Sequence, residues 1–474
     1  SGGASAIAIG NGANASTASN SGDNTAIAIG DAASAAASGI AVGRSSVAMQ
    51  NGAVAIGWKA NVDSTSMSGV AIGDRAAVSG KNAIAIGGNP GATATSATGD
   101  GALAVGSGAK ASGTGSVAFG GLGGAAGGSV ADQNYAVAIG AAAKANGIGS
   151  VAIGGNNIVS ATAAGQDSLA FGAGAGTAIV AQNAMALGAG AQALEANTYA
   201  IGSNATASKG NAIAIGSNAK ATGSNAISIG TGNTVSGTGS GAIGNANTIA
   251  NNNTFVVGNN VTTTQGNSVV LGNASTDRAA TTEANATVGG ISYGTFAGQG
   301  SAAKGVVSIG QATAERQLIN VAAGNIGSLS TDAINGSQLY ATNAVIGKLA
   351  SSVATNFGGG VTVNTDGSLT APSYALNGNN YSNVGSALNE VNRVANAGWN
   401  LSGSGANPVN IGPDGVVNFV GDSNITVSQN GADDDGEITV ALAEDIDLGA
   451  NGSVTTGNTV MDTNGVRNGS TSLT

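Results

Sequence analysis

The sequence predicts a mainly β protein whose larger part is a stacked rod, a β-solenoid, and three observations predict it. One phrase of apolar, small, apolar, Gly recurs from the N-terminus to about Gly272, as in Ile7-Ala8-Ile9-Gly10, Ile27-Ala28-Ile29-Gly30, Ile84-Ala85-Ile86-Gly87 and Ile213-Ala214-Ile215-Gly216. From Gly188 the closing glycine falls every 14 residues, at Gly202, Gly216, Gly230, Gly244, Gly258 and Gly272. A fixed short period marks one coil of a stacked array. The 474 residues include 82 Gly, 4 Pro and only 3% aromatics, so the chain lacks the bulk that ordinary globular cores bury. Gly does not fall every third residue and Pro is scarce, which excludes collagen.

Within a coil, bulky residues alternate with small ones, as in Val117-Ala118-Phe119, Val151-Ala152-Ile153 and Met185-Ala186-Leu187. A period of two is a strand with one bulky and one small face. The glycine that follows permits the turn. A weaker alternation comes next, as in Asn218-Ala219-Lys220-Ala221 and Ser107-Gly108-Ala109-Lys110-Ala111. Strand, turn, weaker strand and turn complete the coil. With roughly 18 to 20 coils about 4.8 Å apart, the rod is about 90 Å long. A coil this thin has too few bulky residues to enclose a core alone, so the row of Ile213 and Ile215 over Ile227 and Ile229 is expected to meet an equivalent row on another chain. Periodicity does not set the number of chains. Wider intervals, from Gly87 to Gly106 and from Gly120 to Gly140, predict loops at one edge, such as Gly120-Gly121-Leu122-Gly123-Gly124.

The formal net charge is -10, with 14 Lys and Arg against 24 Asp and Glu. That argues against nucleic acid as a partner, which needs clustered basic residues. There is no Cys and no His, which removes thiol catalysis, zinc ribbons and the commonest general base. Carboxylates such as Asp23, Asp31, Asp63, Asp74 and Asp100 are scattered along the rod, and the Gly-rich runs lack the ending of a phosphate loop. No catalytic, cofactor or metal residues are expected, and the protein is read as a non-enzyme. Asp433-Asp434-Asp435-Gly436-Glu437 is read as a hairpin turn, because it lacks the alternating ligands of a calcium loop. The chain starts Ser1-Gly2-Gly3 without Met and has no apolar run long enough to span a membrane. It is therefore read as a piece of a longer protein.

The phrase Asn211-Ala212-Ile213-Ala214-Ile215-Gly216 with Asn218-Ala219-Lys220-Ala221 resembles the head repeat of trimeric autotransporter adhesins. A longer and more specific block follows: Glu315-Arg316-Gln317-Leu318-Ile319-Asn320-Val321-Ala322-Ala323-Gly324, then Thr331-Asp332-Ala333-Ile334-Asn335-Gly336-Ser337-Gln338-Leu339. It resembles the family's neck, where a wide head narrows into a coiled coil. The resemblance implies a left-handed parallel β-roll built by three chains, with a YadA-like head over residues 1–305 and a neck over 306–338. It assigns structural roles in the neck to Arg316, Asn320, Asp332, Asn335 and Gln338. Arg316 and Asp332 are rare charges here and are expected to pair between chains.

Past the neck, Leu339, Ile346 and Val353 are seven residues apart with Leu349 between them, a seam predicting a short coiled coil over 339–356. Val361-Thr362-Val363 and Ser373-Tyr374-Ala375-Leu376 read as strands around an Asp366-Gly367 turn, similar to the family's FGG insertion, over 357–383. Val384, Leu388, Val391 and Ala395 give a second seam, over 384–398. Trp399 and the alternating runs 416–419, 424–427 and 437–442 resemble the Trp-ring and GIN-like β domains, over 399–474, and residues 451–474 look like one more β segment.

The family resemblance implies a fibre that attaches a bacterium to host cells, matrix proteins, other cells or abiotic surfaces. Its full-length form would be a homotrimer anchored in the outer membrane at its C-terminus, with this part outside the cell. The alternative is a non-adhesive fibre or spacer of similar architecture. The Ala, Asn and Lys face is the candidate sticky surface, with Lys81, Lys110, Lys144 and Lys220 on it. Trp58 beside Lys59 is a further candidate contact.

Overall fold

The computed structural model describes residues 5–16, 25–88, 93–121, 127–156, 158–405, 407–432 and 435–473. The Gly-rich loop expected after Gly121, Asp23 and the Asp433-Asp434 pair lie outside these. The chain divides into two units, Ser1–Ala333 and Ile334–Thr474.

Among the described residues, the first unit is a roll of two parallel sheets with 19 and 16 strands. The recurrent phrase forms the larger sheet, rung upon rung: Tyr199, Ile213 and Ile227 share one column, and Ile201, Ile215 and Ile229 another. The weaker alternation forms the smaller sheet, where Lys220 lies between Thr206 and Thr234. The coil count read from the period agrees with the 19 rungs.

The interior of the roll is alanine. Ala200, Ala214, Ala207 and Ala221 are all fully buried, while Ile215 and Lys220 point away from them. This corrects the expectation that Ala shares an outward face with Asn and Lys. Each chain does enclose a core, built from methyl groups, and the bulky row lies outside it. In the last coils the interior changes to Val235, Ile249, Val256, Val261 and Val270. Asn233 and Asn247 are also fully buried there, and their amides satisfy each other and the carbonyls of Gly244 and Gly258. Such pairing removes the cost of a buried polar group.

The tight interior makes a prediction. Ala214 sits between Ala200 and Ser228 on neighbouring rungs, so Ala214→Leu has no space to fill. It should cost about 1–3 kcal/mol, read as a lower midpoint in thermal unfolding, and an unchanged midpoint would refute the alanine core.

The outer turns explain the asparagines. Asn183, Asn197, Asn211 and Asn225 adopt φ near +55° to +60°, a conformation that Asn tolerates better than most residues. Their side chains form a ladder, Asn183 to Asn197 at 3.4 Å, Asn197 to Asn211 at 3.3 Å and Asn211 to Asn225 at 3.2 Å. These asparagines are turn formers first.

Residues beyond Gly272 leave the roll before it is complete. Asn285–Val288 and Ile291–Gly294 form an antiparallel hairpin around Gly289 and Gly290, where continuous roll was expected to 305. The chain then returns, and Val307–Ser308 adds the last parallel rung against Val269 and Val270.

Among the described residues, the second unit has two helices and small antiparallel sheets. Helix α1, Gly336–Phe357, opens with a capping box in which Asn335 and Gln338 bond reciprocally. Helix α2, Val384–Ala395, is capped by Asn383. Between them the Asp366-Gly367 turn is present, but it joins only a bridge from Val363 to Leu369. Tyr374–Leu376 pairs instead with Asn379–Tyr381, around Asn377 and Gly378, both with positive φ. This Asn-Gly hairpin signal was in the sequence and was missed. Trp399–Leu401 pairs with Val409–Ile411, and the strand expected at 416–419 is irregular. Ile425–Ala432 and Asp435–Leu442 form the expected hairpin, paired up to Ala432 and Asp435. Residues 453–473 form a four-stranded antiparallel sheet.

Candidate functional site

The roll presents two different outer faces. Outside the larger sheet runs an apolar row, with Phe119 53%, Phe171 46%, Ile215 36%, Ile243 51% and Phe255 47% exposed. A stripe repeated on every rung far exceeds the scattered apolar residues of a monomer surface, and such continuity marks an interaction face.

Outside the smaller sheet, Lys110, Lys144 and Lys220 each begin a strand and are exposed. They share one column but are not adjacent: Val130 separates Lys110 from Lys144. Lys110 is also paired with Asp132 at 3.7 Å. Lys81 lies in a turn that enters the larger sheet, and Trp58 and Lys59 lie in a turn that leaves it. The structure therefore divides the six candidates among one face and two edges.

Trp58 and Lys59 have company that spacing did not suggest. Arg44 and Arg75 occupy the turns of the preceding and following rungs. Their guanidinium carbons lie 5.0 Å and 4.7 Å from the Trp58 ring centroid, and the Lys59 ammonium lies at 5.3 Å. Trp58 is half-buried and Lys59 and Arg44 are exposed. The Trp58 Nε1 is buried without a hydrogen-bond partner among the described residues, so stacking rather than hydrogen bonding holds the ring. Asp31 lies in the turn one rung before Arg44, and Asp74 precedes Arg75 in the same turn. The signal in the sequence was an Arg, Trp or Asp directly after the closing glycines Gly30, Gly43, Gly57 and Gly73.

In the neck, Arg316 is engaged within its own chain. It donates to Ser275 Oγ at 2.8 Å and to the carbonyls of Ile309 and Asn273 at 2.7 Å each, closing the open end of the roll. Asp332 accepts from the Asn325 amide at 3.0 Å. The two charges are thus satisfied separately within the chain. Asn320 holds a turn with φ +60°, and Asn335 and Gln338 serve the cap of α1. On α1, Leu339 and Ile346 are exposed and Val353 is half-buried. Trp399 is exposed on its hairpin.

The strongest polar cluster of the second unit was not legible in the sequence. Glu390, nearly buried on α2, receives Arg393 through Nε at 2.8 Å and Nη2 at 2.6 Å, and Asn377 Nδ2 at 3.2 Å. The Arg393 bonds, with help from Asn377 and Tyr381, hold its carboxyl at about 2. Burial and the adjacent Glu390 push the Tyr381 hydroxyl up. A depressed carboxyl stabilises the fold above its unfolded value of about 4.5, and that contribution is lost as pH falls from there towards about 2. Glu390→Gln should therefore lower the melting midpoint at pH 7, with the gap to the parent protein closing near pH 2. An equal gap at both pH values would contradict the cluster. Among the described residues no group of His, Cys, Asp and Glu could hold a metal ion, and no helix is long and apolar enough to cross a membrane.

Two family models match the chain. One, described as the YadA head domain repeat (2 copies), matches residues 36–60, 65–89, 97–122, 131–157 and 194–219. The other, described as the coiled stalk of trimeric autotransporter adhesin, matches residues 317–362. Autotransporter adhesin EhaG of Escherichia coli O157:H7 is 46% identical over 76 residues, covering 16% of this chain and 4% of that protein. Autotransporter adhesin BtaE of Brucella suis biovar 1 (strain 1330) is 28% identical over 193 residues, covering 40% of this chain and 18% of that protein. Trimeric autotransporter adhesin AtaA of Acinetobacter sp. (strain Tol 5) is 33% identical over 203 residues, covering 41% of this chain and 5% of that protein. The chain thus spans less than a fifth of the length of each of these relatives.

Proposed function

The chain belongs to the trimeric autotransporter adhesins, and on that premise we propose that it is the surface-exposed part of a homotrimeric attachment fibre. The observation that carries this is the apolar row outside the larger sheet. Each chain already has its own alanine core, so the row is free to pack against two equivalent rows around a common axis. Burying it would release apolar area from water on every rung, at about 25 cal/mol per Å². The seam of α1, with Leu339 and Ile346 exposed and Val353 half-buried, and the exposed Trp399 supply further apolar groups for self-association in the second unit. In the neck, the clamp by Arg316 ends the roll, and Asn320, Asp332 and the Asn335–Gln338 cap lead the chain into α1. The arrangement is a head over residues 1–305, a neck over 306–338 and a stalk beyond.

The smaller sheet and the turn edges then face outward. Three copies of every exposed group per fibre, and many fibres per cell, give avidity to individually weak contacts. Host cells, matrix proteins and abiotic surfaces are the targets proposed, from a location outside the cell with an outer-membrane anchor in the full-length protein. The protein is non-catalytic in this reading, since its repeated groups are amides, methyls and isolated charges.

Two measurements test the proposal. Sedimentation equilibrium should give three times the chain mass; a monomer would reject it. Attachment to matrix proteins, cells and plastic should be lost when residues 1–272 are deleted. Undiminished attachment would favour a non-adhesive spacer instead.

A further inference from the structure

Tyr135 stands apart among the turn residues of the roll. It has φ +61° and is 67% exposed, and no other aromatic among the described residues has a positive φ. The same turn position on neighbouring rungs holds residues that tolerate this conformation: Gly115 before it, then Gly149, Asp167, Asn183 and Asn197. A bulky side chain there is strained, and strain of this kind collects at functional sites. Gly115 clears space for the ring, since a Cβ on it would lie 3.2 Å from Tyr135 Cδ1. On the other side, the Asp167 carboxylate occupies the place that a Cβ on Gly149 would take. Gln166 donates to Asp167 Oδ2 at 3.1 Å and holds that carboxylate. Asn134 Oδ1 accepts from the Thr114 amide at 3.0 Å, which leaves Asn134 Nδ2 as a donor in the same turn.

We propose that the turn at Tyr135 binds a neutral glycan, with one hexopyranose stacked on the Tyr135 ring and hydroxyls held by Asp167, Gln166 and Asn134. A pyranose has an apolar C–H face and a rim of hydroxyls. The face covers the exposed ring and takes it out of water, and the amides and carboxylate around the ring match the rim. Tyr135 and Asp167 are two rungs apart, about 10 Å, a span that two linked sugars bridge. Charge selects the neutral class. Asp167 makes no ion pair among the described residues, and Asp132, in the same turn as Tyr135, already holds Lys110 at 3.7 Å. An acidic glycan or a nucleic acid would be repelled by the Asp167 carboxylate. The surroundings also favour sugar over protein. A protein-docking anchor sits within a broad apolar patch, whereas the exposed neighbours on the adjoining turns are Thr114, Gln133, Asn134 and Gln166, with Ile148 as the apolar exception. The site would serve the attachment proposed above and rests on that reading for its biological use.

The test is a saturation-transfer NMR titration of the intact protein with lacto-N-tetraose, mannotetraose and maltotetraose, and with a heparin tetrasaccharide as the acidic comparison. Binding of at least one neutral tetrasaccharide is expected, with the heparin fragment weaker by about tenfold or more. The strongest saturation should fall on the C–H protons of one sugar face. Tyr135→Asn should weaken binding by about tenfold or more, while its melting midpoint equals or exceeds that of the parent, because Asn is an ordinary residue at this turn. Tyr135→Phe keeps the stacking face and should bind within about twofold of the parent. Asp167→Asn removes an acceptor and should weaken binding several-fold. Tyr293→Ala, an exposed tyrosine on the hairpin beyond the roll, should leave it unchanged. Several results would overturn the proposal: no binding of any neutral tetrasaccharide, equal or tighter binding of the heparin fragment, undiminished binding in Tyr135→Asn, or an equal loss in Tyr293→Ala. A lower melting midpoint in Tyr135→Asn would do the same, since it would make the tyrosine a structural residue. None of these outcomes bears on whether deleting residues 1–272 abolishes attachment, so the two readings fail separately.

Discussion

Gly216→Ala is expected to open the roll around its own coil and to cost about 4 kcal/mol or more. Gly216 has φ +128°, outside the regions open to residues with a Cβ, and an added Cβ would lie 2.3 Å from the carbonyl oxygen of Gly230 on the next rung. Neither atom can move, because Gly230 sits under Gly244 in the same way. The closing glycines form a column in which each backbone rests directly on the next. In a stacked array the damage stays near the lesion, so hydrogen exchange should show faster exchange over neighbouring rungs before global unfolding. Asn218→Gly, at a turn with φ +56°, keeps the required conformation and is the matched control. Normal exchange in Gly216→Ala would mean that the column is not held as described.

The second large effect is expected from Ile213→Asp combined with Ile227→Asp. The two positions are register partners on adjacent rungs of the bulky column. In the proposed homotrimer they would place six carboxylates in an apolar seam. An unpaired charge taken from water costs several kcal/mol, and the like charges repel. The trimer should therefore dissociate at lower dilution at pH 7, measured by sedimentation. Burial raises a carboxyl pKa, so the defect should shrink as pH falls and the new aspartates become neutral. Since neither position contributes to the alanine core, circular dichroism of the monomer should retain its β signal. A trimer as tight as the parent at pH 7 would place this row in solvent and sink the interface.

Much of the fold was legible because a solenoid is nearly one-dimensional. The period of 14 fixed the rung, and alternation fixed which residues share a side of the strand. The direction of each side was not legible. Alternation states that Ile213 and Ala214 point opposite ways, but not that alanine points into the roll. Bulk suggested a sticky Ala and Asn surface, whereas Ala214 is buried and Asn211 builds a turn. The second unit was harder to read. Asn377-Gly378 selects its hairpin by a local rule, yet Asp366-Gly367 attracted the pairing instead. The strand expected at 416–419 failed because a β pattern without a partner does not make a strand.

The candidate site followed the same division. Trp58 and Lys59 stood out by rarity, but Arg44 and Arg75 are 14 and 17 residues away in the chain and join them only because rungs stack. Glu390 belongs to no motif in the sequence, and it gains its role only because Asn377 and Tyr381 fold onto it. By itself the sequence determined the repeat, the family resemblance and an approximate number of rungs, since each depends on local pattern and on spacing along the chain. The tertiary structure decided which face is core, which charges converge on Trp58 and what Arg316 holds. Those outcomes depend on contacts between residues far apart in sequence, and the packing of rungs alone sets them.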